Sequence, residues 1–542
     1  MVVEYRQESA RLFLKNIYQW LSSEPADIRT AAIIRSFLFA AVLVLFSWFV
    51  YFSFCTLAIP YQIEYREGAA QVMTQILLTG GNPFSPEYQP LGMNNYGIAY
   101  NLLVLPFAKL FGNTLTVHRG ISFIFLIVSL LFTARTIFLL RKDVLISLLC
   151  GIFIAVVLAG RGGLGAFPSA LGAFLFLSAI LTPCIYSFGY PSLIASALLS
   201  VMAYYTKPYF VICFAVVAIY TFAFVSKKKG VIYSLFFISA LGLLHMGVRY
   251  SSEFYFIDTF IGNLSNANQS ASHMREQLSE LLAEFFPSIF VGVSLLFRNR
   301  SAFSPKTIFW TNLLPGTNFK HAQAPLLGLR IDYFAFTFLF CFLSFVLILG
   351  LHKGSYMTSA YQIVMPPFFL WLFQKLNSKN RFSIISLCLL LGNILILDHI
   401  LLNPSFLRQR DSAGWRNLYD SIRDSRRVFN SPAVASMMID IGILPVDSGQ
   451  TEYYYYIKPY PHNILFGPDY DTVKRHGIAY RRAIRKAISN AEFDKVILTD
   501  GYGNLISLDT VSRYYVKVET IAIEMPQTHQ TWVIGIWEPI GK

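Results

Sequence analysis

The 542-residue chain is poor in charge: Asp, Glu, Lys and Arg together make up 14% of it, against 55% hydrophobic and 16% aromatic residues. A charged complement this small excludes an ordinary water-soluble domain, where about a quarter of the residues carry charge. Metal and redox motifs are missing as well. The six cysteines stand singly in or beside apolar runs, with no CxxC and none in the polar C-terminal part, so neither a disulfide framework nor a zinc-thiolate site is indicated. There is no Walker loop and no HExxH, and the nine histidines show no ligand spacing. "GRGGLG" at 160–165 spells GxGxxG, but it joins two apolar runs instead of a strand and a helix, which removes the context of a dinucleotide turn.

What the chain does have is long apolar runs and a mean hydropathy of +0.51. Runs near the length of about twenty residues needed to cross a bilayer lie at 33–59, 119–140, 144–160, 164–186, 190–206, 209–226, 231–249, 282–297, 331–351, 356–374 and 382–402. The fold class they predict is mainly α, a polytopic helical membrane protein of about eleven spans. The first run is too long for a signal-peptide core and follows a charged, amphipathic stretch, so it reads as a retained span. Residues 96–111 are apolar but short and broken by Asn101, Pro106 and Lys109, which predicts an interfacial or re-entrant helix.

The net charge of +14 sorts by side of the membrane, which accounts for it without a nucleic-acid partner. With a cytoplasmic N-terminus, Arg141-Lys142, Lys227-Lys228-Lys229, Arg298/Arg300 and Lys375/Lys379/Arg381 all fall inside, as the positive-inside rule requires. The simplest setting is a bacterial cytoplasmic membrane. The division that follows is a cytoplasmic N-terminal segment at 1–32, a membrane domain at 33–402 with its first outer loop at 60–118, and an extracytoplasmic domain at 403–542. That last domain has strand-like runs at 495–498, 514–518 and 531–537 between helix-like stretches, predicting a small α/β unit, with Ser431 and Pro432 opening a helix.

The first outer loop opens with "EYREGAAQVMTQILLTGGNPF", residues 64–84. Glu64 and Glu67 are three apart and would share one face of a helix ended by Gly80-Gly81-Asn82-Pro83. Two carboxylates at the membrane boundary can act as a general base and a divalent-cation ligand. The plainer alternative is a pair of solvated interfacial charges leaning on Arg66.

The order "IEYREG", a helix, "GGNPF", "NNYGIAYNLLVLPFAKLFG" and "HRG" resembles the first outer loop of the C-type glycosyltransferase superfamily (GT-C), which includes bacterial aminoarabinose transferases and protein O-mannosyltransferases. Glu64, Glu67, Gly68, Tyr96, Phe111, Gly112 and Arg119 carry the resemblance, and Arg66 departs from it where aminoarabinose-transferase-like members have Asp. The resemblance implies inverting transfer of a sugar from a polyprenyl-phosphate donor to a glycan, lipid or protein acceptor outside the membrane. Either Glu64 or Glu67 would be the base, with Mg or Mn as the divalent cation that the two would hold.

Such a reaction needs cations for the departing phosphate. Lys207, Arg161, His352 and Lys353 stand in outer turns between apolar runs, where a charged residue is costly without a partner or an interface. They are the candidate donor-phosphate ligands, with snorkelling to headgroups as the alternative. The run "GSYMTSAYQIVMPPFFL" resembles the family's later Gly, Tyr and Pro pattern, making Tyr361, with Tyr96, a candidate substrate-lining residue. A lipid-linked sugar flippase and a non-catalytic assembly subunit are the rival readings. The absence of internal repeats and the gathering of charge at span ends weigh against a transporter.

Overall fold

The computed structural model describes residues 28–64, 66–88, 94–160, 163–265, 270–298, 332–349, 359–378, 380–401, 412–447, 457–461, 467–500, 506–525 and 530–541. Leaving single turns unlabelled, its helices are α1 (Ile28–Leu57), α2 (Arg66–Leu78), α3 (Ala99–Phe111), α4 (Leu115–Arg141), α5 (Val144–Ala159), α6 (Ser169–Ile185), α7 (Tyr190–Tyr204), α8 (Ile212–Tyr220), α9 (Lys227–Ser251), α10 (Ala271–Glu284), α11 (Phe286–Arg298), α12 (Tyr333–Ser344), α13 (Met365–Lys375) and α14 (Arg381–Leu401). In the C-terminal part are α15 (Ser412–Ile422), α16 (Ala435–Asp440), α17 (Tyr470–Ser489) and strands β1 (Val428–Phe429), β2 (Lys495–Thr499), β3 (Tyr515–Met525) and β4 (Gln530–Pro539).

Within the described residues each apolar run contains a helix, but the helices differ in length. Among the described residues, four are long and apolar enough to cross a membrane alone: Ala32–Leu57, Leu115–Arg141, Pro208–Val225 and Lys227–Ser251. The pair Ala271–Glu284 and Phe286–Leu296 would make a fifth, bent by 81° at its break, and six shorter apolar helices complete the set. α3 is one of these, 13 residues with Pro106 inside, ended by Gly112 at φ 87°. Polar side chains fix where the helices begin. Thr114, Asp143 and Ser226 accept the backbone N–H three residues on, capping α4, α5 and α9.

The bundle has two chemically distinct ends. At one, the Arg141 guanidinium donates to the Leu376 carbonyl (2.7 Å), Asp143 accepts from the Ser378 hydroxyl, and Lys375 pairs with Asp332 (3.0 Å). These join residues the charge rule assigns to a single face. At the other end lie the first outer loop, the turn before α6 and the turn at Lys207.

The C-terminal part forms a four-stranded sheet in the order β1-β2-β4-β3, with β1 parallel to β2 and the other neighbours antiparallel. Alternation along β2 sends Ile497 to one face, with Trp415, Leu418 and Met438, and sends Val496 and Leu498 to the other, with Ile484 and Ile488. Helices therefore cover both faces. Ser431 caps the turn Pro432–Val434 that leads into α16, as its sequence predicts.

This domain sits directly on the first outer loop. Tyr61 stacks on Trp415 (4.9 Å between centroids, 14°), and the Gln62 amide accepts from the Ser436 N–H (2.7 Å). A Cβ on Gly68 would lie 2.6 Å from that of Ala435, so only glycine lets α2 and α16 approach this closely.

Candidate active site

α2 is wedged between the C-terminal domain and the bundle, burying Ala69, Ala70, Val72, Met73 and Ile76. The Asn101 side chain of α3 donates to the Ala70 carbonyl (2.7 Å) and the Thr74 hydroxyl (2.9 Å), and Gln71 and Asn113 exchange side chain-to-backbone bonds. Neither glutamate is a solvated surface charge: Glu64 is 6% exposed and Glu67 is fully buried. Nor do they share a helix face, because the helix starts at Arg66 and Glu64 precedes it.

The two carboxylates have different jobs for their lone pairs. Glu67 Oε1 accepts from Arg119 Nε (2.8 Å) and the Ala166 N–H (2.8 Å), while Oε2 accepts from Arg119 Nη2 (2.7 Å) and the Ile63 N–H (2.8 Å). Four bonds fill the roughly four acceptor positions of a carboxylate. Arg119, itself fully buried, spends its other N–H groups on the carbonyls of Thr56, Ile59 and Tyr61. One ion pair thus ties the end of α1, the start of α2, α4 and the turn before α6.

Among the described residues, the Glu64 side chain accepts two bonds, both from Arg66: its backbone N–H (2.8 Å) and its Nε (2.6 Å). Half of its acceptor capacity stays open. Burial pushes its pKa above the ordinary carboxylate value, and the Arg66 charge opposes that shift.

Around Glu64 the chain gathers cations and aromatic rings. The Arg66 guanidinium lies 5.3 Å from the Phe167 centroid and Lys207 Nζ lies 5.8 Å from the same centroid, so two cations share one aromatic ring. Lys207 Nζ also lies over Tyr96 (4.9 Å) and donates to the Ser169 hydroxyl (2.7 Å). Burial holds Lys207 well below the ordinary lysine pKa, helped by the nearby Arg66 charge and opposed by Glu64. Lys207 Nζ lies 5.8 Å from the Tyr209 ring, and Tyr209 donates to Gln362 Oε1 (2.6 Å); among the described residues the buried Gln362 Nε2 has no partner. An unpaired buried donor linked through Tyr209 to a buried cation is a group that an anionic oxygen would satisfy.

Backbone contacts position the cluster. The Gly97 and Ala99 N–H groups donate to the Thr206 and Tyr205 carbonyls, clasping the Tyr96 loop to the Lys207 turn. Across from them, the Asn263 side chain donates to the Asn95 carbonyl (2.9 Å). A Cβ at Gly97 would lie 1.9 Å from the Tyr205 oxygen. Gly97→Ala is therefore expected to force the two segments apart, costing ~1–3 kcal/mol. A lowered melting temperature of the detergent-solubilised protein, with weakened transfer, checks this.

Of the residues singled out from sequence, Glu64, Tyr96 and Lys207 come together here. Glu67 lies alongside, turned to Arg119. Tyr361 is fully buried and makes an edge contact with Phe285 (5.1 Å), and its neighbour Gln362 is the residue that reaches Tyr209. Arg161, His352 and Lys353 lie outside the described residues. Sequence reasoning missed Arg66 as a site cation, and with it Ser169, Tyr209 and Gln362. Gln362 sits in a π-helical turn, Ala360–Val364, whose extra residue per turn shifts the helical phase.

The two carboxylates do not fit a divalent cation as a pair: Glu67 has no open acceptor position, and among the described residues no three His, Cys, Asp or Glu side chains cluster, which leaves Glu64 alone with open positions.

A helical membrane bundle, a buried acidic loop at one end and an α/β domain resting on that loop make up a fold that a solved membrane protein shares. The chain is similar to the crystal structure of ArnT from Cupriavidus metallidurans bound to undecaprenyl phosphate, with a TM-score of 0.57 and 11% sequence identity over 91% of this chain and 97% of that one. No family model matches the sequence, and no curated protein does.

Proposed function

We propose that the protein is a membrane glycosyltransferase that moves a sugar from a polyprenyl-phosphate donor to a hydroxyl-bearing glycan, lipid or protein acceptor on the outer side of the membrane. The observation that carries this is one buried cluster holding a half-open carboxylate, Glu64, beside Arg66, Lys207 and the unpaired Gln362 amide. The fold match to a protein solved with undecaprenyl phosphate supports the same reading.

In the proposed reaction Glu64 takes the acceptor's hydroxyl proton while that oxygen attacks the anomeric carbon. The bond from the anomeric carbon to the phosphate oxygen breaks, and the charge left on the polyprenyl phosphate is met by Arg66, Lys207 and Gln362 Nε2. Attack opposite the departing phosphate inverts the anomeric centre. An arriving phosphate would favour the charged form of Lys207 against the opposing effect of burial. Glu67 has no acceptor position free for a proton. Its role is to hold the loop through Arg119.

Lys207→Ala is expected to weaken retention of undecaprenyl phosphate about tenfold or more, as lost charge-assisted bonds do. Titration of the lipid phosphate into the purified protein measures it, and unchanged affinity would remove Lys207 from the site. A second expectation concerns pH. The base works deprotonated, so the acid limb of kcat/KM should lie above the ordinary Glu value. Arg66→Gln, which removes the charge lowering that pKa, should move the limb to higher pH. A pH-rate profile of the two proteins checks the direction.

A further inference from the structure

A cavity outside this cluster lies at the far end of α1 and α4. It measures about 830 Å³ and is lined by Arg35 and Ser36 of α1, Arg141 at the end of α4, the Lys142-Asp143 turn, and Asn377 beyond α13. Arg35 is 22 residues before the end of α1 at Leu57, and Arg141 is 22 residues after Arg119, where 57 − 35 and 141 − 119 give the counts. At 1.5 Å per residue each interval spans ~33 Å, the thickness of a bilayer's hydrocarbon core. The cavity therefore opens at the depth of the opposite leaflet's headgroups.

Its charge is one-sided. Arg35 and Lys142 are exposed, Arg141 is half-buried, and the single carboxylate among the lining residues, Asp143, is already engaged by the Ser378 hydroxyl and the Ile146 N–H it caps. Three cations thus face one occupied anion in a recess walled by Phe39, Leu139 and Leu145. Apolar walls at acyl depth below a cationic rim match a lipid with an anionic phosphate head, and cationic pockets between membrane helices hold such headgroups.

We propose that this cavity binds the phosphate headgroup of an anionic phospholipid in the leaflet opposite the candidate active site. Arg35 and Lys142 supply the mobile charges. Arg141, fixed to the Leu376 carbonyl at 2.7 Å, supplies the anchored one.

The test is native mass spectrometry of the full-length protein released from nanodiscs of mixed phosphatidylglycerol and phosphatidylcholine, run beside Arg35→Gln/Lys142→Gln. Both positions are exposed, and Arg141 is spared because its guanidinium also ties α4 to the segment after α13. The wild type should retain phosphatidylglycerol in preference, and the double variant should lose that preference by roughly tenfold or more, in line with the attraction each surface cation adds. Equal retention of the two lipids by the wild type, or an undiminished preference in the variant, would overturn the proposal. Displacement of phosphatidylglycerol by millimolar inorganic phosphate would overturn it too, by assigning the cavity to a soluble anion. A melting curve of the variant matching the wild type shows that a lost preference reflects the site.

Discussion

Glu64→Gln is expected to reduce sugar transfer about a hundred- to ten-thousandfold, the range over which a positioned general base contributes. It should do so without loss of stability. The Glu64 carboxyl is buried and its pKa is raised. For a carboxyl shifted upward, the cost of keeping the charged form inside the fold is absent below the unfolded pKa and complete above the folded one. The neutral amide carries no such cost, which offsets the loss of whichever of the two Arg66 bonds its single oxygen cannot accept. At neutral pH the variant should melt at the same temperature as the wild type or higher. Loss of transfer with an intact melting transition is the signature expected of the base, measured on one preparation by transfer assay and thermal melt.

The opposite signature is expected at Glu67. Glu67→Gln leaves Arg119 charged in a fully buried site and turns one carboxylate oxygen into a donor facing an Arg119 N–H together with the N–H of either Ala166 or Ile63. Breaking one side of a buried ion pair costs ~3–5 kcal/mol. Arg119→Met should cost at least as much, since it also strands the Thr56, Ile59 and Tyr61 carbonyls. Both variants should melt well below the wild type, with any surviving activity limited by folded protein. Were Glu67 the base, its amide would instead abolish transfer in a protein that melts normally. The pair of variants therefore separates the residue that does chemistry from the one that holds the loop.

Much of this was legible in the sequence, and the illegible remainder has physical causes. Apolar run lengths placed the helices, because a bilayer imposes a length that composition reveals. The alternating runs in the C-terminal part placed β2, β3 and β4 within a few residues at their starts. Glu64 and Lys207 stood out because charge beside a span is costly. The difference between Glu64 and Glu67 was not legible, since it depends on a partner 52 residues away in α4. Arg66 read as a departure from the family pattern, yet in the fold its guanidinium and Lys207 share the Phe167 ring from two distant turns. Gln362 was missed by one position because the resemblance pointed to Tyr361, whereas in the fold, within a π turn, it is Gln362 that reaches Tyr209.

The central claim is tested most directly by transfer of radiolabelled sugar from a panel of polyprenyl-phosphate sugars, with the purified protein reconstituted alongside its Glu64→Gln variant. The account predicts transfer from at least one donor by the wild type and near-complete loss in Glu64→Gln at an unchanged melting temperature. Transfer by Glu64→Gln at the wild-type rate would contradict it.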